Sequence, residues 1–213
     1  MITVYCFGRV HPAVIGETRD LRALWTLEET GLPHRVQGLD HTGGELSAPE
    51  YSRLSYFNQV PTIDDDGFVL AESASILLYL AEKAGKLIPS DFQGRTRVVQ
   101  WCFAALATVE PPLMQLMMKG MFGGNEEALR KWAGRVLGGV ETRLDGREWI
   151  ACDEFTVADV LLACVLRTAR KTDLLDPHPR VKAYYERAFA RASWNRTISA
   201  YAERLGANVS DIR

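Results

Sequence analysis

Two short stretches carry residue types that together could hold a small charged peptide. In Asn58-Gln59-Val60-Pro61-Thr62-Ile63 a proline stands where a loop hands over to a strand. There its missing N–H costs one ladder hydrogen bond unless the chain needs a special geometry. A cis Val60-Pro61 bond would supply one, turning the Val60 amide and carbonyl outward to pair with an extended peptide as an added strand. A trans proline that merely opens an edge strand accounts for the same residues equally well. Further on, Glu72-Ser73 precedes the helix-forming run SASILLYLAEK, which predicts Ser73 as an N-cap. A helix start also attracts anions through its free N–H groups and positive dipole end, and the Ser73 hydroxyl would add a donor. Plain capping is the simpler reading of that pair alone. Side by side, peptide-pairing atoms and an anion pocket match a short extended peptide ending in a carboxylate.

Other chemistries find little support. Cysteines at 6, 102, 152 and 164 form no Cys-x-x-Cys pair, and His11, His34, His41 and His178 never fall four apart, so no metal is expected. With 25 Lys and Arg against 27 Asp and Glu, the net charge of -2 offers no field for nucleic acid or anionic lipid. No apolar run approaches a membrane span, and MITVYCFGRV lacks the order of a signal peptide, which leads to the expectation of a cytoplasmic protein.

The elements that must position the two stretches follow from periodicity. Residues 2 to 7, ITVYCF, predict a strand, followed by a Pro and Gly-bearing loop. From Thr18 to Thr30, Leu21, Leu24, Trp25 and Leu27 share one face of an expected helix that Gly31 and Pro33 end. HRVQGL, 34 to 39, predicts a second strand parallel to the first through a right-handed crossover. Residues 40 to 58 read as a loop with one helical turn near Pro49, and PTIDDDGFVLAE as two strands around an Asp66-Gly67 turn. The order β-α-β-β-β-α is that of a thioredoxin-like α/β domain with a mixed sheet. That domain is expected over 1–85, a linker over 86–94, and an all-α domain over 95–213. Helices are expected near 95–119, 125–145, 157–171, 178–191 and 195–206. Thr156 and Asp159 predict a capping box, with Phe155 stapled onto Val160.

At this point a family resemblance is visible. NQVPTIDDDGFVLAESASILLYLAEK resembles the glutathione-binding signature of the glutathione S-transferases. LRALWTLEETGLPHRV is similar to their first helix and second strand, and FTVADVLLACVL to an element of their helical domain. The resemblance implies glutathione as co-substrate, with Val60 bonding its cysteinyl backbone, Pro61 shaping that turn, Glu72 and Ser73 meeting its γ-glutamyl end and Gln59 its glycyl carboxylate. The loop LSYFNQVP departs from the family's usual Leu-Asn-Pro-x-Gly.

A transferase must hold glutathione as thiolate, and a free thiol with pKa near ~8.5 is only a few per cent ionised at neutral pH. Relatives place a Tyr, Ser or Cys between the first strand and helix, whereas this chain has no Ser-Pro or Cys-Pro there. Thr18, at the expected helix start, and Tyr5, in the first strand, are the candidate catalytic hydroxyls; capping and packing are their bland roles. Cys6 opens a third route, thiol-disulfide reduction. The methionines at 114, 117, 118 and 121 with Phe122, after an expected kink at Pro111-Pro112, suggest an apolar electrophile pocket in which Met117 and Phe122 take part. The resemblance further implies a homodimer and leaves open a non-catalytic glutathione-binding module.

Overall fold

The computed structural model describes residues 1–212. Alternation along β1 (Ile2–Arg9) buries Ile2, Val4 and Cys6 together on one face. Its parallel partner β2 (His34–Asp40) follows helix α1 (Asp20–Thr30), which Gly31 terminates at a φ of 73° that only glycine adopts without cost. The two strands close tightly at Gly8 and Gly38, where a Cβ on Gly38 would fall 2.8 Å from the Gly8 Cα. A helical turn, α2 (Pro49–Ser52), leads to β3 (Thr62–Asp65) and β4 (Phe68–Ala71). Asp66 and Gly67 join them with φ values of 52° and 95°, the paired positive values of a tight hairpin. The sheet runs β2-β1-β3-β4, parallel only between β1 and β2. Helix α3 (Ser73–Ala84) lays Ile76, Leu77 and Leu80 into the core with Trp25, Leu27 and Ile63. Burial of each such side chain contributes about 1.5–3 kcal/mol.

A second unit, Lys86–Arg191, is helical. It contains α4 (Phe92–Ala104), α5 (Glu110–Met117), α6 (Lys119–Phe122), α7 (Glu126–Arg143), α8 (Val157–Leu166) and α9 (Pro179–Phe189). The helix expected over 95–119 with a kink at Pro111-Pro112 is interrupted about one turn earlier. A wide π-turn, Ala105–Val109, separates α4 from α5, because Pro111 and Pro112 lack the N–H groups that a continuous α-ladder requires. Every residue of α8 except Cys164 is buried, so α8 is the axis of this unit. The capping box predicted at its start is present. Asp159 accepts from the Thr156 N–H at 2.8 Å and also from the Ile150 N–H and the Tyr184 hydroxyl.

Helix α10 (Ala192–Leu205), expected within the all-α domain, belongs to the first unit with Met1–Gly85, and a last turn α11 (Val209–Ile212) follows it. The cause is apolar. Trp194 packs on Trp25 with ring centroids 5.1 Å apart, the Trp25 Nε1–H donates to Ser193 Oγ at 3.0 Å, and Ile198 and Tyr201 are buried.

Candidate functional site

The loop before β3 is fastened from within. The Gln59 carbonyl accepts from the Tyr51 hydroxyl at 2.6 Å, the Ser55 hydroxyl at 3.0 Å and the Thr62 hydroxyl at 3.3 Å, while its N–H donates to Ser55 Oγ at 3.0 Å. Val60 and Pro61 are buried and Val60-Pro61 is cis, one of the two readings its place in the sequence allowed. Among the described residues neither the N–H nor the C=O of Val60 has a protein partner. Because buried main-chain groups are almost always paired, these two atoms are open to an added strand. The Gln59 side chain stands exposed beside them.

At the other stretch Ser73 is not the N-cap. Glu72 holds that position with φ 68°, and Ser73 is the first residue of α3. A positive φ on glutamate is a strained backbone, the kind of outlier that clusters at binding sites, and the Glu72 side chain is exposed. Ser73, 6% exposed, accepts a hydrogen bond at 3.1 Å from the Arg22 guanidinium of α1. Its own hydroxyl hydrogen has no acceptor among the described residues. The site in this unit thus combines main-chain atoms for an extended peptide, a helix start with a free hydroxyl hydrogen for a carboxylate, and an exposed carboxylate for an ammonium group.

The two candidate catalytic hydroxyls differ in what they have left to give. Thr18 does not open α1, since Arg19 stands at the N-cap position without a side-chain cap. Its hydroxyl donates to Asp20 Oδ1 at 2.5 Å and lies 2.8 Å from the Tyr201 hydroxyl, which accepts the Gly16 N–H at 3.0 Å. A hydroxyl has one hydrogen, so the bonds run in one direction, from Gly16 through Tyr201 and Thr18 to the Asp20 carboxylate. Asp20, fully buried, also accepts the Phe7 N–H and pairs with Arg204 at 3.5 Å. Burial pushes its carboxyl up from the ordinary range, while the Thr18 hydroxyl and the Arg204 guanidinium oppose that shift. Tyr5 is half-buried and packs, with Phe7 and Leu54, on a cluster that includes Tyr51 and Val60, its ring 5.6 Å from that of Tyr51. No described residue bonds its phenol. Cys6 is buried completely, and burial followed by the Asp20 charge drives its thiol well above the usual range. A thiol so held is no nucleophile.

In the helical unit, Met114, Met118, Phe122 and Leu129 line a recess of about 460 Å³ whose rim includes Gly123 and Gly124. Phe122 is 75% exposed; Met117 is 44% exposed and does not line the recess.

Sequence reasoning missed Arg22, Tyr51, Ser55, Thr62, Asp20 and Tyr201. Arg22 stands next to the apolar stripe of α1, and nothing in its spacing marks it; a buried arginine becomes visible only when its acceptor on α3 is in place.

The family profile for the glutathione S-transferase N-terminal domain matches residues 21–83, and that for the C-terminal domain matches residues 109–192. The chain is similar to glutathione S-transferase D7 of Drosophila melanogaster, 31% identical over 154 residues covering 68% of each chain. Among solved structures it resembles a glutathione transferase family member from Pseudomonas fluorescens with two glutathione bound, at 26% identity and a TM-score of 0.78, covering 92% of this chain and 91% of that one. It also resembles a glutathione transferase from Burkholderia graminis with two glutathione molecules per subunit, at 28% identity and a TM-score of 0.80, covering 92% and 86%.

Proposed function

Because this chain belongs to the glutathione S-transferase family, we propose that it binds glutathione along Val60 and ionises its thiol for attack on an apolar electrophile. The observation that carries this reading is the unpaired main chain of Val60 in the same unit as the unspent Ser73 hydrogen. The cysteinyl residue pairs with Val60, the γ-glutamyl carboxylate takes the α3 amides and the Ser73 hydroxyl, the γ-glutamyl ammonium faces Glu72, and the glycyl carboxylate meets the Gln59 side chain. Tyr5 donates to the sulfur, since the hydrogen of Thr18 is committed to Asp20. Phe122 and Met117 receive the electrophile on the helical unit, and the enzyme works as a homodimer. No helix among the described residues is long and apolar enough to cross a membrane, in keeping with a cytoplasmic substrate pool.

Calorimetry with glutathione tests the binding step, and conjugation of a chlorodinitrobenzene tests the chemistry. Ser73→Ala should weaken binding about 10-fold, the equivalent of one hydrogen bond to a charged group at ~1.5 kcal/mol. Absence of binding heat from the wild-type protein at millimolar glutathione would overturn the reading. Binding without conjugation would instead make the protein a glutathione-holding module, which the commitment of the Thr18 hydrogen favours as the second reading.

A further inference from the structure

The proposed γ-glutamyl subsite has a charged group beneath it. Arg22 is 5% exposed and Ser73 6%, and Arg22 Nη1 donates to Ser73 Oγ at 3.1 Å across 51 residues of sequence. A serine hydroxyl carries one hydrogen and two acceptor lone pairs. Donation by the guanidinium occupies a lone pair and turns the O–H away from Arg22, which cannot accept a hydrogen bond. The hydroxyl rotor is fixed in its donating sense before any ligand arrives, and no described residue takes its hydrogen. Glu72 meanwhile sets the α3 start at φ 68°, and the first-turn amides of a helix have no partner within it.

We propose that Arg22 is a positioning residue for glutathione: it acts through Ser73 to orient the hydroxyl towards the γ-glutamyl carboxylate. This rests on the reading of the Val60–Ser73 surface as the glutathione site. Arg22 touches neither the sulfur nor the electrophile; its effect falls on affinity, through the one ligand group that the Ser73 hydroxyl meets.

The test is a double-mutant cycle on the full chain with Arg22→Met, Ser73→Ala and both, measuring glutathione dissociation constants and steady-state kinetics. The same cycle is run with γ-aminobutyryl-cysteinylglycine, which lacks only the γ-glutamyl α-carboxylate. Arg22→Met is expected to raise the dissociation constant and KM for glutathione about 10-fold, as loss of one charge-assisted contact would. The turnover number at saturating glutathione should move less than twofold. For the analogue the change should stay under twofold, and in the Ser73→Ala background the Arg22→Met effect on glutathione should shrink by at least half. Arg22→Lys, which keeps charge but not the fork, should recover part of the affinity. Equal losses for glutathione and analogue, or full additivity with Ser73→Ala, overturn the proposal. If Arg22→Met fails to fold, Arg22→Lys carries the same comparison. Failure of the wild-type chain to bind either peptide sinks the underlying site reading, a result separate from both.

Discussion

A hydroxyl can serve a sulfur only with a hydrogen it has not already given away. Tyr5 and Thr18 looked alike in sequence as candidate donors, but they differ in the structure because Thr18 lies between Tyr201 and Asp20. Tyr5→Phe should cut kcat/KM about 100-fold, the scale of losing one donor to a developing anion, and move the bound thiol's pKa back towards ~8.5. Thr18→Val should change the thiol titration far less and lower thermal stability, since it leaves two hydrogen-bonding groups of the buried chain unmatched. Thiolate absorbance against pH for both variants, with melting curves, checks this; a thiol shift larger in Thr18→Val than in Tyr5→Phe reverses the assignment. At this scale the sequence was half legible. The Val60-Pro61 turn and the α3 start at Glu72-Ser73 could be located, though not the bond isomer or the capping residue, because their signals are local, whereas Thr18 meets Tyr201 across 183 residues and no window reaches that far.

Elements were legible where their signals are short-range. The Asp66-Gly67 hairpin, the Gly31 stop of α1 and the Thr156–Asp159 box all formed from residues within a few positions of one another. The α4–α5 break was harder to read, since Pro111 and Pro112 act on carbonyls a turn earlier and shift the boundary with them. One long-range pin ties α3 to the sheet that carries the Val60-Pro61 loop. Asp65, buried at the end of β3, accepts the Tyr79 hydroxyl at 2.6 Å and pairs with Lys83 at 2.5 Å. The Lys83 ammonium and then the Tyr79 hydroxyl hold its carboxyl below the ordinary range. A depressed carboxyl contributes stability that is full above the unfolded value of ~3.9 and is lost as pH falls through the lower folded value. Wild-type stability should therefore drop on acidification below about pH 4, and Asp65→Asn should flatten that limb while costing stability at neutral pH. Denaturant titrations from pH 7 to pH 2 read both; an unaltered acid limb in Asp65→Asn assigns the loss to other groups.

On the scale of the whole chain, the division into two units does not follow the sequence order that periodicity suggested. Helical period in α10 is plain, but period says nothing of which core a helix joins, and the Trp25–Trp194 contact decides that. A chain ending at Arg191 keeps every candidate glutathione contact yet exposes Trp25 and strips Tyr201 from the Thr18–Asp20 joint. Such a truncation should abolish glutathione binding by calorimetry or leave the protein insoluble. Undiminished affinity in a soluble truncated protein would show that α10 is dispensable to the first unit.

The first unit is made of the two ends of the chain, with residues 86–191 interposed between them. Synthesis from the N-terminus proceeds at roughly 5–20 residues per second, so the opening 85 residues leave the ribosome several seconds before the helix that covers Trp25 exists. During that interval the helical unit can mature by itself, while the sheet waits with an apolar flank uncovered. On the proposed reading, the glutathione surface is then completed only once α10 has docked. An arrest late in translation would yield a well-formed helical half attached to a ligand-blind one.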